Sequence, residues 1–234
     1  SFFTVTVNSG NTMTLAANAV VQIQNAMNIL GTLNTANSPN TIWYSSSSTS
    51  IAAATYNSLR LTGSSKTLAN NITINNNLSV DSSSTFDASG FAVTFATATS
   101  STISATPTGT IKFKDVTINS GKTIDAGTNS FSVSGNWTNN GTFTSSSGQT
   151  VTFNGLDNQT ISRSSFQNIT FSGSDIKTLS GNATILGTIV INAPVTLAMG
   201  STVDTIKGNF INNGAGINSG TSTFVFNGTS QQQI

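Results

Sequence analysis

The sequence predicts an all-β protein, a right-handed parallel β-helix (β-solenoid) of about 12 turns. Two observations lead to this fold class: short runs in which apolar and polar residues alternate, and segments that recur along the chain. Alternation with a period of two is typical of strands, and internal recurrence is typical of coiled repeats. No stretch keeps a helical apolar stripe over three turns. We therefore expect residues 1–234 to form a single solenoid.

Each predicted strand is a short alternating run bounded by Asn, Gly and Ser, which are turn-forming residues. Examples are V-T-I at 116–118, V-T-F at 151–153 and I-T-F at 169–171. Side chains alternate between the two faces of a strand, so the apolar members are expected inside and each central Thr outside. The expected inward residues are Val116, Ile118, Val151, Phe153, Ile169 and Phe171.

Three motifs recur. The first, an aromatic residue followed by an alternating run, begins at Tyr56, Phe113 and Phe166. The second is G-N-W-T-N-N-G at 135–141 and G-N-F-I-N-N-G at 208–214, and the third is T-V-T-F-N-G at 150–155 and T-F-V-F-N-G at 223–228. These spacings divide into units of about 17–21 residues, one per turn. The structural repeat positions are Tyr56, Phe113, Phe166, Gly135, Trp137, Gly141, Gly208, Phe210, Gly214, Phe153 and Phe226.

The composition excludes several function classes. There are 8 Lys and Arg, 7 acidic residues that are all Asp, and no His or Cys, while Ser, Thr, Asn and Gly make up more than half of the chain. Histidine-based acid–base chemistry, thiol chemistry and zinc–cysteine sites are therefore ruled out. The few, nearly balanced charges provide no basic surface for nucleic acid. No apolar run is long enough for membrane insertion. We expect no enzyme activity, no cofactor and no metal.

The repeats resemble those of very large secreted surface proteins of Bacteroidota. The resemblance rests on G-N-W-T-N-N-G-T-F from 135, V-T-F-N-G followed by Q-T-I from 151, and F-Q-N-I-T-F-S-G followed by K-T-L from 166. More distantly, they are similar to filamentous-haemagglutinin-type and autotransporter-passenger β-helices. The resemblance implies an extracellular or cell-surface bacterial protein used for adhesion or fibre formation. The implied partners are glycans, a host or neighbouring cell surface, or further copies of the chain.

Trp43 and Tyr44 are the candidate ligand-binding residues, because neighbours in a strand point to opposite faces and one of these two aromatic rings must face outward. The alternative function is a carbohydrate-binding or carbohydrate-cleaving β-helix. Cleavage needs paired carboxylates, and the nearest approaches to a pair are Asp81 with Asp87 and Asp157 with Asp175. The remaining acids are Asp115, Asp125 and Asp204.

Two further alternatives are weighed. Thr-x-Thr pairs such as Thr150/Thr152 would suggest ice binding if they stacked in one plane, but they come from different places in the repeat, and β-propensity explains them. Neither end of the sequence has a polar cap. We therefore expect either a segment of a longer rod or a short rod that polymerises end to end.

Overall fold

The computed structural model describes residues 1–45, 50–81, 83–97, 99–106 and 109–234, and it contains strands but no helix in those residues. The first half of the strands are β1 Phe2–Val7, β2 Thr12–Thr14, β3 Val20–Ile29, β4 Thr32–Asn34, β5 Thr41–Tyr44, β6 Ser50–Ile51, β7 Thr55–Tyr56, β8 Ser58–Leu61, β9 Lys66–Leu68, β10 Ile72–Ile74, β11 Leu78–Val80, β12 Thr85–Ala88, β13 Val93–Phe95, β14 Ser100–Ala105, β15 Thr110–Phe113 and β16 Val116–Ile118.

The second half are β17 Thr123–Asp125, β18 Phe131–Val133, β19 Trp137–Asn139, β20 Thr142–Thr144, β21 Thr150–Phe153, β22 Gln159–Ile161, β23 Ser165–Phe166, β24 Asn168–Phe171, β25 Ile176–Leu179, β26 Thr184–Ile185, β27 Ile189–Asn192, β28 Thr196–Ala198, β29 Val203–Ile206, β30 Phe210–Asn213, β31 Gly216–Asn218 and β32 Thr223–Phe226. No helix long and apolar enough to cross a membrane occurs in the described residues.

The strands form three parallel stacks. The first stack runs β1-β3-β5-β8-β11-β14-β17-β20 and continues, beside β20, as β23-β26-β29-β32. The second stack runs from β7 through β10, β13, β16, β19, β22, β25 and β28 to β31, with the β2-β4 pair at its start. The third stack runs from β6 through β9, β12, β15, β18, β21, β24 and β27 to β30. One turn of the coil contributes one strand to each stack, which is a β-solenoid.

The solenoid makes about 11 turns, close to the predicted number. Turn length varies more than expected: Thr41 pairs with Ser58, 17 residues later, whereas Leu78 pairs with Ile103, 25 residues later. By the strand bounds, the longer turn has more strand residues as well as more residues between strands. Strand length and corner length therefore both vary from turn to turn.

The interior is one apolar core along the coil. All six predicted inward residues, from Val116 to Phe171, are buried, and the Thr between each pair is only partly covered. A connected set of rings fills the middle turns, with neighbouring centroids 5.1–6.3 Å apart. We call this set the aromatic spine; it comprises Phe86, Phe95, Phe113, Phe131, Trp137, Phe143, Phe153, Phe166 and Phe171.

The sequence repeats do not return to the same stack. Tyr56 lies in the second stack, Phe113 in the third and Phe166 in the first. In each case the aromatic residue ends one strand and the next strand begins after the corner. The repeated element is therefore one strand with its corner, a third of a turn, and the three corners of the coil accept the same sequence pattern. Many turns have the predicted 17–21 residues, but the spacing between copies of the motif is not a whole number of turns.

Candidate functional site

The structure resolves which member of the candidate pair faces outward. Tyr44 is fully buried, and its hydroxyl lies 3.0 Å from that of Tyr56. The Tyr44 hydroxyl accepts the N–H of Ala52, and the Tyr56 hydroxyl donates to the Ala52 carbonyl. Burial raises the pKa of Tyr44 and raises that of Tyr56 well above its usual value. Tyr44 is therefore part of the core, and Trp43 is the outward, half-buried ring.

Trp43 belongs to a diagonal ladder of side chains on the first stack. Gln22, Trp43 and Arg60 occupy matching positions on β3, β5 and β8. Each reaches a side chain of the following turn: Gln22 Nε2 donates to Ser45, Trp43 Nε1 donates to Thr62 at 2.8 Å, and Arg60 pairs with Asp81 at 2.6 Å. These bonds fix the orientation of each side chain.

The Arg60 guanidinium also covers the Trp43 ring, with its central carbon 4.7 Å from the ring centroid. This is the geometry of a cation–π contact. The Arg60 side chain keeps 46% of its surface exposed and that of Asp81 keeps 24%. Arg60 thus contacts both other side chains, and we call the three the Trp43 cluster (Trp43, Arg60 and Asp81).

A hollow of about 460 Å³ lies at the corner between the second and first stacks. Corners of different length meet here: residues 35–40 precede β5, Asn57 alone precedes β8, and residues 75–77 precede β11. We call this hollow the corner notch. Its polar lining includes Thr35, Ser38, Asn57, Asn75, Asn76 and Thr99.

Asparagine side chains at the corners tie successive turns together. The Oδ1 atom of each accepts the backbone N–H of a residue in the next turn, at 2.8–3.1 Å. Four examples are Asn71 with Ala92, Asn136 with Thr160, Asn158 with Ile176 and Asn182 with Val203. Neutral acceptors can repeat along a stack without the repulsion that stacked charges would create.

Sequence reasoning missed a set of fully buried polar side chains at corners. The Lys177 ammonium donates to the carbonyls of Gly155, Asp157 and Ser174. Gln159, one turn earlier in register with Lys177, donates to the carbonyls of Val133 and Gly135. These side chains bond backbone carbonyls near the corners, two of which, those of Gly155 and Val133, also accept a backbone N–H.

A sequence signal for this set exists. Each residue precedes Thr and then an apolar residue, in the patterns K-T-L, K-T-I, Q-T-V, Q-T-I and D-T-I. The buried members are Lys66, Lys122, Gln149, Gln159, Lys177 and Asp204. Gln149 differs from the others, because its buried side-chain amide has no hydrogen-bond partner among the described residues. Burial lowers the pKa of the three lysines below 10.5. Burial also raises the pKa of Asp204 above 3.8, against the opposing effect of hydrogen bonds from Thr202 and Ala183.

The repeat positions are structural in their contacts. Trp137 packs in the spine, and Phe210 is buried against Phe226, which keeps 36% of its surface exposed. A Cβ at Gly141 would lie 2.3 Å from the Lys122 carbonyl oxygen, and one at Gly208 would lie 2.2 Å from that of Gly187. A Cβ at Gly135 would meet Asp115, and Gly214 has a φ of +81°. Glycine is required where neighbouring turns approach this closely.

The two candidate carboxylate pairs have cationic neighbours. Asp81 pairs with Arg60, and Asp87, on the third stack, lies 3.9 Å from Lys112. Asp157 and Asp175 both act on the Lys177 amine, and each opposes the effect of burial on its pKa. Within the described residues, no group of three or more His, Cys, Asp or Glu side chains could hold a metal ion.

Comparisons with known proteins add no relative: no protein-family model matches the chain, and no curated protein or solved structure matches it significantly.

Proposed function

We propose that the chain is a structural and adhesive module: a stiff, nearly uncharged rod that belongs to a bacterial surface adhesin or fibre outside the cell. The observation that carries this proposal is that the core is apolar while the outer surface is polar and nearly uncharged. One apolar core continues through the turns, while asparagine side chains outside link each turn to the next. About 11 turns stacked at roughly 4.8 Å give a length near 53 Å.

A rod of this kind acts through its length and its outer surface. Additional turns extend it without changing their neighbours, because each turn contacts only the adjacent ones. Its outward Ser, Thr and Asn side chains offer many hydrogen-bonding groups and few charges. Attachment would then depend on polar contacts with a glycan, a cell surface or another rod, and would change little with salt.

Adhesion can be measured with microspheres that carry the chain at one terminus. We expect such beads to attach to at least one of three surfaces, coated with polysaccharide, with bacterial or host cells, or with the chain itself, and to resist detachment in flow. Beads that carry an unrelated all-β domain of similar size are the control. Attachment no stronger than this control on all three surfaces would contradict the adhesive role.

Carbohydrate binding is the second candidate function, and one observation favours it. Trp43 is an outward tryptophan held in a fixed orientation by Thr62 and Arg60. Rigid aromatic rings with polar neighbours at their edge suit the mixed apolar and hydroxylated faces of sugars. This candidate is compatible with the rod, because it would supply the rod's contact.

A further inference from the structure

The corner notch and the Trp43 cluster lie on the same turns. Strands β5 and β8 both start at the corner where the notch lies, and Trp43 and Arg60 are each the third residue of those strands. At about 3.3 Å per residue, the two side chains stand about 7–10 Å from the notch along the first stack. A ligand a few residues long could therefore touch both.

Most of the side chains that line the notch carry a hydroxyl or an amide group. Hydroxyls from Thr35, Ser38 and Thr99 and amides from Asn57 and Asn76 surround it. Thr35 already donates to the Thr55 carbonyl, and Asn57 already donates to the Ser38 hydroxyl. Aliphatic carbon, including the Ala36 methyl group, makes up more of the exposed lining than polar atoms do. A lining of this mixed kind suits the apolar and hydroxylated faces of a sugar.

A buried cation lies beneath the notch floor. The Lys122 ammonium, fully buried, donates to the Asn75 carbonyl at 2.7 Å and also bonds the Ser101 hydroxyl. Its charge polarises the floor but is not exposed to a ligand. No other charged side chain lines the notch among the described residues.

The Trp43 cluster adds groups that recognise sugars without adding net charge. The charges of Arg60 and Asp81 neutralise one another. The Arg60 guanidinium has five N–H donors, and only two of its nitrogens donate to Asp81. The exposed edges of the pair can both donate to and accept from adjacent hydroxyls. One face of the Trp43 ring lies under the Arg60 guanidinium, so the exposed remainder of the ring would supply the apolar contact, with little loss of side-chain entropy on binding.

We propose that these turns bind an uncharged oligosaccharide, which occupies the corner notch and extends along the first stack to Trp43, Arg60 and Asp81. The inference rests on the proposed adhesive function and names its ligand class and its site. The turns downstream are not required for this contact. The affinity of one site is expected to be weak, with a Kd of about 1 mM, so that firm attachment needs many copies.

Calorimetric titration of the wild-type chain tests the proposal, with cellotetraose and chitotetraose as uncharged probes and a tetramer of galacturonic acid as the acidic probe. We expect at least one uncharged tetramer to bind and the acidic one to bind at least tenfold more weakly. Asn76→Phe should fill the notch and Arg60→Ala should remove the donors, each with at least a tenfold loss of affinity. Thr152→Phe, on the outer surface of the third stack, is the matched control and should change nothing.

Fluorescence supplies an independent readout. In a Trp137→Phe chain, Trp43 is the sole tryptophan, and its emission should shift when the uncharged tetramer is added. Absence of binding by both uncharged tetramers, preference for the acidic one, or full affinity in both Asn76→Phe and Arg60→Ala would overturn the proposal. If the beads still attach while Asn76→Phe has no effect, the adhesive function stands and this site is wrong.

Discussion

The middle turns and the N-terminal turns share one coil but differ in what fills it. In the middle turns the aromatic spine forms a continuous interior in which Trp137 contacts four other rings. Near the start, the Tyr44 and Tyr56 hydroxyls meet inside the core and bond the backbone of Ala52. The only half-exposed tryptophan lies on these same early turns.

The difference shows that the coil fixes the positions of the strands but allows different kinds of side chain in the core. Parallel pairing fixes where each strand lies, so a turn can use phenylalanine, a tyrosine pair or a buried lysine as long as corner carbonyls are satisfied. Hollows on the surface, such as the corner notch, have a different origin: they form where neighbouring corners differ in length. Stability is therefore expected to depend on the middle turns, and ligand contact on the early ones.

The largest expected effect is the difference in stability loss between substitution of Trp137 and substitution of Trp43. Trp137→Ala should lower the free energy of unfolding by about 3–5 kcal/mol, because it opens a cavity in the spine. It also removes the hydrogen bond from Trp137 Nε1 to Ser164. Trp43→Ala should cost at most about 1 kcal/mol, because its ring is partly exposed. Urea denaturation of both variants measures the difference, and equal losses would remove the distinction between the two regions.

The next effect concerns the buried ammonium of Lys177. Lys177→Met keeps the length of the side chain but removes the donor to three carbonyls, of which that of Gly155 keeps the Ser174 N–H. We expect a loss of about 1–3 kcal/mol in the free energy of unfolding. Lys207→Met, at an exposed lysine, is the control and should stay within about 0.5 kcal/mol of wild type. No loss at Lys177 would mean that its bonds are dispensable.

A smaller effect tests the polar core of the early turns. Tyr44→Phe removes the hydroxyl that accepts the Ala52 N–H and leaves that donor buried without a partner. The expected loss is about 1–2 kcal/mol. Phe153→Leu in the spine removes no polar group and provides the comparison. A Tyr44→Phe chain as stable as wild type would show that the tyrosine pair contributes no more than its apolar area.

The pH dependence of stability should be unusually flat near neutrality, because the chain has no His, Cys or Glu. The lowered pKa of each buried lysine means that the folded chain binds fewer protons than the unfolded chain, so stability should rise as pH approaches 10.5. The raised pKa of Asp204 acts at the other end: its contribution is present below 3.8 and is lost as pH rises through the folded pKa.

Two variants show which residues cause the changes of stability with pH, when the denaturant midpoint of unfolding is measured at a series of pH values. Lys177→Met should reduce the alkaline rise, and Asp204→Asn should reduce the loss of stability on leaving acid pH. Both changes are expected to be smaller than the loss at Tyr44. A steep transition between about pH 6 and 8 would contradict the account, because no ordinary side chain of this composition titrates there.

The fold could be predicted because strand patterning is local. V-T-I at 116–118 specifies an inward Val116 and Ile118 whatever its neighbours are. The stack that each repeat joins could not be predicted, because the three corners accept the same motif and their assignment depends on every corner length upstream. Tyr56 and Phe113 look equivalent in sequence yet lie on different stacks.

The site was only partly predictable for related reasons. Alternation required one of Trp43 and Tyr44 to face outward, but which one depends on strand register. The corner notch depends on the difference in length between neighbouring corners, which are about twenty residues apart in the chain. Lys177 was overlooked because lysine is almost never fully buried without a partner, and the K-T-L pattern gave the missing clue.

Removal of one complete turn tests most directly the central claim that turns are interchangeable units. Deletion of Val151 to Asn168 joins Thr150 to Ile169, so that Ile169, Phe171 and Lys177 take the places of their register partners Val151, Phe153 and Gln159. Deletion of Val151 to Gln159 alone, half a turn, is the control that breaks all three stacks.

We predict that the full-turn deletion unfolds in one cooperative transition, keeps the β-sheet circular dichroism of the wild-type chain, and is shorter by about 5 Å in X-ray scattering. The half-turn deletion should fail to fold. A full-turn deletion that aggregates or unfolds like the half-turn control would contradict the account.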